Sequence, residues 1–199
     1  MTAIKPLRDM EYDPAEPVKL TICSIAFNHG AYIRECLEGF LDQRCDFRVE
    51  IIVHDDASTD DTAAILREYA ERYPSIVRLI LQEKNVYSTG VNPYYAYVFP
   101  AAEGDYLAIC DGDDYWDDPD KLVTQVSFLE RNADVSLTYG RVKAVRETGV
   151  EHDFRNGLER DLTAQELKLG LPINTLTRCF RNIFGQAHPP FYARRQWEI

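Results

Sequence analysis

The stretch "CDGDDYWDDPD", Cys110 to Asp120, places six aspartates within the ten residues that begin at Asp111. It follows directly on the apolar run Tyr106-Leu107-Ala108-Ile109-Cys110. Like charges at such spacing repel, so either a cation belongs there or the stretch is a solvated turn that starts a helix. The second reading accounts for Asp117, Asp118 and Asp120, because Asp118 and Pro119 suit an N-cap and a first-turn proline. It leaves Asp111, Asp113 and Asp114 unexplained. An i, i+2 carboxylate pair around Gly112 lets Asp111 and Asp113 reach one hard cation, with Asp114 as the adjacent ligand. Magnesium or manganese suits such oxygens and fills its remaining positions with water or phosphate. An EF-hand is excluded: counted from Asp111, position 6 is Trp116 and position 12 is Leu122, where glycine and glutamate are required.

These carboxylates need elements to hold them. "LTICSIAF" predicts a buried strand and "AYIRECLEGFLDQ" a helix whose apolar positions recur at helical spacing. "VEIIVHDD" predicts a second strand. A helix follows through "ASTDDTAAILREYAERY", with Ser58 and Asp61 at capping-box spacing. "IVRLIL" and "DYLAIC" are the next strands, with a helix over "PYYAYVFPAA" between them that is interrupted near Pro100. The helix "DKLVTQVSFLERN" closes the regular part. Beyond Asn132 the rhythm weakens to short strands in "VSLTYGRVKAVRE" and a short helix in "TAQELKLG". Strands alternating with helices imply an α/β fold with a mainly parallel, doubly wound sheet and right-handed crossovers.

Ligands of such sheets bind beyond the carboxyl ends of the strands. Those ends are Ala26-Phe27-Asn28, Asp55-Asp56 and Asp111-Gly112-Asp113-Asp114, so an aromatic ring, a carboxylate pair and the acidic cluster meet on one edge. Phe27 is either core or a stacking wall for a flat base. Asn28 serves a turn before the first helix. One of Asp55 and Asp56 suffices to favour a helix N-terminus, which leaves the other for the imide N–H of a base. Lys84, after the third strand, is either a solvated surface charge or a point charge for phosphate.

Composition narrows the function. The 199 residues suit one domain, with 45% hydrophobic and 28% charged residues. Lys and Arg number 22 against 33 Asp and Glu, a net charge of −11, which disfavours nonspecific nucleic-acid binding. Cys23, Cys36, Cys45, Cys110 and Cys179 are odd in number and widely spaced, which fits a reducing cytoplasm rather than zinc or a disulfide framework. No run reaches the roughly 18 apolar residues of a membrane span, and the leader "MTAIKPLRDMEYDPAEPVK" lacks the apolar core of a signal peptide.

The segments "TICSIAFNHGAYIRECLEGFLDQ", "EIIVHDDASTDDTAAIL" and "GDYLAICDGDDYWDDPDKL" resemble the family 2 glycosyltransferases. "LPINTLTRCFRN" resembles members that build bacterial surface polysaccharides. The resemblance implies the GT-A fold, a Rossmann-like sheet with helices on both faces. The expected organisation is an N-terminal arm over residues 1–18, a nucleotide-sugar-binding core over 19–140 and a partial acceptor-side region over 141–199, with truncation there left open. The resemblance also implies inverting transfer of a sugar from a UDP- or dTDP-sugar to a hydroxyl of a saccharide or glycoconjugate. Donor-nucleotide contacts then fall to Ala26, Phe27, Asn28, Asp55, Asp56, Lys84, Asp111 and Gly112. Within these, Asp56 meets the base imide and Asp111 the ribose. Mn2+ or Mg2+ falls to Asp113 with Asp111 and Asp114, the match to a DxD signature. Phe27 stands where the family often has tyrosine, which keeps stacking and loses a phenolic hydrogen bond. Cytoplasmic placement is expected, with peripheral membrane association left open.

The general base is not identified. The later half offers Glu159, Asp161, Glu166 and Glu198, none in a matching motif, and His152 and His188 add nothing. The alternatives are a nucleotide-sugar-binding domain with little turnover and a metal-dependent phosphohydrolase. The latter is disfavoured because Ala26-Phe27-Asn28 holds no nucleophilic aspartate behind the first strand.

Overall fold

The computed structural model describes residues 4–13, 15–145, 151–154, 160–163, 165–166 and 173–184. In chain order the elements are β1 (Lys5–Pro6), β2 (Leu20–Ala26), α1 (Ile33–Leu41), β3 (Arg44–Cys45) and β4 (Val49–Asp55). Next come α2 (Thr62–Arg72), β5 (Val77–Leu81), a π-turn at Tyr94–Val98 running into α3 (Phe99–Ala101), β6 (Tyr106–Ile109) and α4 (Lys121–Arg131). β7 (Leu137–Thr138), β8 (Val142–Val145), β9 (Glu151–Phe154) and β10 (Cys179–Arg181) complete the set.

Six strands form the main sheet in the order β5-β4-β2-β6-β10-β7. The first four run parallel, whereas β10 is antiparallel to both β6 and β7. β8 and β9 form a separate hairpin. The parallel strands β2, β4 and β6 are buried nearly throughout because both faces are covered.

α1, α2 and α4 cover one face. α1 buries Ile33, Cys36, Leu37, Phe40 and Leu41, and α4 buries Leu122, Val126 and Leu129. Each such side chain contributes roughly 1.5–3 kcal/mol when fully removed from water. The other face carries Tyr94, Val98 and Phe99 over Cys23, Ile52, Leu107 and Ile109. The expected mainly parallel sheet with helices on both faces is therefore the observed one. The leader is docked rather than loose: β1 pairs with β3, and Leu7 is fully buried in the core.

Two local expectations differ. Ser58 does not cap α2; its Oγ accepts the Asn28 N–H at 2.8 Å, while Asp60 Oδ1 takes the Thr62 N–H at 2.9 Å. α4 begins two residues later than the Asp118-Pro119 pair suggests. Asp118 Oδ1 accepts the Asp120 N–H at 2.9 Å, a turn that precedes the helix instead of capping it. All five cysteines are buried free thiols. Among the described residues, no helix is long and apolar enough to cross a membrane.

Candidate functional site at the carboxyl edge of the sheet

Register brings the three strand ends together. Ala26 is paired with Asp55, and the Asp56 N–H donates to Ala26 O at 2.9 Å. Gly112 N–H donates to Ile25 O at 2.9 Å, which extends the β2–β6 contact past the end of β6. Space at residue 112 is tight. A Cβ there would lie 2.9 Å from Ile33 Cδ1, 3.0 Å from His29 Nδ1 and 3.1 Å from Ala26 Cβ. Packing thus seats the acidic loop against the start of α1.

Asn28 is the turn residue its type suggests. It adopts a left-handed φ of 58°, and its Oδ1 accepts from Thr59 N at 2.8 Å and Thr59 Oγ1 at 3.3 Å. Its side chain therefore ties the end of β2 to the loop after β4. Phe27 beside it is 43% exposed, an aromatic face open at the edge, whereas Ala26 is buried.

Asp55 and Asp56 are both buried, with different partners. Asp55 Oδ2 accepts the Ser58 N–H at 3.3 Å, and its Oδ1 has no hydrogen-bond partner among the described residues. Asp56 holds the loop that follows β5: Oδ1 accepts the Val86 N–H at 2.8 Å and Oδ2 the Tyr87 N–H at 3.0 Å. A carboxylate oxygen has a second lone pair, so this grip leaves acceptor capacity for a further donor. Lys84 lies in the same loop, exposed, with no hydrogen bond or ion pair among the described residues.

The aspartates of the opening motif divide by environment. Asp111 is turned toward the π-turn, where Tyr94 Oη donates to its Oδ1 at 2.6 Å. Burial raises its pKa and the Tyr94 hydrogen bond opposes that rise. Tyr94 in turn is pushed well above the usual phenol range, first by burial and then by Asp111. Asp113 is 52% exposed at the side chain, with His29 Nε2 at 3.9 Å from its Oδ2. Asp114 is pushed up to about 6 by burial and by the neighbouring Asp113 and Asp111. Among the described residues, no three His, Cys, Asp or Glu side chains converge as a ready-made metal cage. Asp113 and Asp114 nevertheless offer hard oxygens side by side. That donor set fits Mg2+ or Mn2+ taking its other ligands from water and phosphate.

Sequence reasoning missed four contributors. Tyr94 reads as one apolar position among many, and nothing local marks its hydroxyl as the partner of Asp111. His29 is hidden in a turn. Lys121 sits behind Trp116, its Nζ 4.1 Å from the ring centroid and 2.7 Å from Gln125 Oε1, and burial pushes its pKa down to about 8. Arg178 precedes β10, with Nε donating to Ile173 O at 3.1 Å. Beyond the acidic loop opens a groove of about 730 Å³, bounded by Asp114, Trp116, Lys121, Tyr139 and Lys143. Of the carboxylates considered as a general base, Glu166 is held by Arg160 and by Thr163, which drop its pKa to about 2. Glu159 and Glu198, like His188, lie outside the described residues, and so does the side chain of His152.

Residues 21–189 match the sequence profile of Glycosyl transferase family 2. An uncharacterized protein of Mycobacterium tuberculosis is 46% identical over 132 residues, covering 66% of this chain and 37% of its own. The poly(ribitol-phosphate) beta-glucosyltransferase of Bacillus spizizenii is 30% identical over 153 residues, 76% of this chain and 23% of its own. In structure, residues 1–349 of S. aureus TarS in complex with UDP superpose with a TM-score of 0.62 at 23% identity, covering 83% of this chain and 47% of that one. The chain thus spans less than half the length of these relatives. Profile and architecture agree: the chain belongs to glycosyl transferase family 2 and has the GT-A fold.

Proposed function

We propose that this chain carries the donor site of an inverting glycosyltransferase, which moves a sugar from a UDP- or dTDP-sugar to a hydroxyl of a saccharide or glycoconjugate. The observation that carries this reading is the convergence of Phe27, Asp56 and the Asp111–Asp114 cluster on one sheet edge. It is supported by the UDP complex of the TarS neighbour and by the beta-glucosyltransferase activity in the name of the B. spizizenii relative.

In this reading Phe27 stacks on the base, and the spare lone pairs of Asp56 accept its imide N–H. The order matters physically, because the Asp56 carboxylate is already fixed by two backbone amides and needs no rearrangement to receive the base. Asp111, fixed by Tyr94, faces the ribose. Asp113, with Asp114 and Asp111 beside it, would hold Mn2+ or Mg2+, and the ion would supply positive charge where the nucleoside diphosphate leaves. The acceptor enters along the groove beside Trp116 and Lys121. In this reading the chain works in the cytoplasm and associates peripherally with a membrane.

Calorimetric titration with UDP and dTDP tests the reading. Binding in Mn2+ should weaken strongly on adding EDTA, and Asp113→Ala should weaken it to a similar extent. Equal affinity with and without chelator would remove the role assigned to the acidic cluster.

A further inference from the structure

β10 brings one more charged side chain to this edge. The Ile109 N–H donates to Arg178 O at 3.2 Å, and Cys179 is paired with Ala108, so Arg178 lies beside the residues that lead into Asp111. Cys179 is fully buried in the core under α1 and α4. Alternation along the strand sends its neighbours Arg178 and Phe180 to the other face. There Phe180 meets Phe99 edge-on at 6.0 Å, and Tyr94 stacks on Phe99 at 5.4 Å. This is the face on which Tyr94 holds Asp111.

The guanidinium is anchored but not neutralised. Its Nε and one Nη donate to the carbonyl of Ile173, and no carboxylate stands within ion-pair distance among the described residues. Asp111 is close enough to act on it electrostatically, along with Tyr95 and Tyr94, while burial lowers the Arg178 pKa. A half-buried cation without an anion is costly to keep. One uncharged carbonyl fixes its position and leaves the remaining N–H donors of the fork for a ligand. A planar fork of this kind matches paired phosphate oxygens.

We propose that Arg178 binds the diphosphate of the donor, from the β10 side of the edge that carries Asp113 and Asp114. This rests on the nucleotide-sugar reading above and adds to it a second source of positive charge, one that belongs to the chain itself.

The test compares uridine with UDP, in Mn2+, on the wild-type chain and on Arg178→Gln and Arg178→Lys. Arg178→Gln should weaken UDP about tenfold or more while leaving uridine within about twofold, because only UDP carries the phosphates. Arg178→Lys should recover part of the loss. Unchanged UDP affinity in Arg178→Gln overturns the inference alone. Equal losses for uridine and UDP also overturn it, since the arginine would then only prop the strand. A wild-type chain that binds neither UDP nor dTDP overturns the donor reading and this inference with it. If Arg178→Gln does not fold, Arg178→Lys decides: it keeps the charge and loses the fork. A UDP loss of at least about threefold with uridine unchanged supports the proposal, and equal UDP affinity overturns it.

Discussion

Replacing Gly39 with alanine should destabilise this protein, although alanine is the better helix former. In the interior of a helix, glycine to alanine is worth about 1 kcal/mol of stabilisation. Gly39 lies in the middle of α1, on its buried side. A Cβ built there stands 2.8 Å from Trp116 O and 3.2 Å from Trp116 N. Ordinary contact begins at 3.4 Å, so the carbonyl would have to retreat by about 0.6 Å. The neighbouring groups resist that movement. Trp116 Nε1 donates to Leu176 O at 2.7 Å, its ring lies 4.9 Å from that of Phe40, and Lys121 caps its face.

Overpacking of this kind costs roughly 1–3 kcal/mol, against the gain of about 1 kcal/mol, so the net expectation is a loss of about 1 kcal/mol. Urea unfolding followed by tryptophan fluorescence would show a lower midpoint at unchanged slope. In a thermal melt the midpoint should fall by about 2–4 °C for a chain of this size. Because Trp116 is only two residues beyond Asp114, the affinity for UDP with Mn2+ should fall as well. A variant that gains the full helix-propensity increment with unchanged nucleotide binding would show that α1 and the acidic loop can separate freely, and the packing argument would fail.

Ala57 is the converse case: it holds a left-handed φ of 63° without being glycine. Ala57→Gly should therefore raise stability by about 0.5–1 kcal/mol, the relieved strain less the entropy that glycine adds to the unfolded chain, and a lower denaturation midpoint would contradict this. Asp56→Ala leaves the Val86 and Tyr87 amides without acceptors, so hydrogen exchange over residues 84–90 should speed up about tenfold or more; unchanged protection would mean that the carboxylate does not hold the loop. Lys121→Met removes a lysine whose folded pKa, about 8, lies below its unfolded value. The cost of burying the charge is full below pH 8 and relieved as pH rises toward the unfolded value, so the variant's advantage over wild type should shrink across that window by up to about 3 kcal/mol, and a pH-independent difference would refute the assignment.

The fold was legible wherever an apolar run ended in a carboxylate. Val49 to Asp56 and Tyr106 to Asp111 each state both the strand and its functional end, since burial and chemistry change over within one or two residues. What stayed hidden was set by partners far along the chain. Ser58 has the spacing of a helix cap, yet the backbone of Asn28, thirty residues earlier, claims its hydroxyl. Asp56 looks free for a ligand in sequence, whereas the loop at Val86 and Tyr87 holds both of its oxygens. The Tyr94 hydroxyl lies on a segment whose local pattern is only apolar packing, and Arg178 lies in a mixed stretch, Leu176 to Asn182, where no periodicity singles it out. Arg178 reaches the edge only when β10 pairs with β6.

A contrast among the cations bears on how so acidic a chain can receive a diphosphate. On the surface, basic side chains are spent on carboxylates: Arg8 on Glu38 and Asp42, Arg34 on Glu68, Arg44 on Asp120, Lys19 on Glu130 and Asp105. Near the carboxyl edge the pattern changes. Lys121 is held by an amide oxygen and an aromatic face, and Arg178 by a single carbonyl. Uncharged partners fix the position of a cation without cancelling its charge, and partial burial keeps solvent from screening it. Such groups gain most when an anion arrives. Lys121 and Arg178 therefore outweigh their number, because their hydrogen-bond partners are uncharged, whereas Lys143 at the same groove is paired with Asp117 at 3.0 Å.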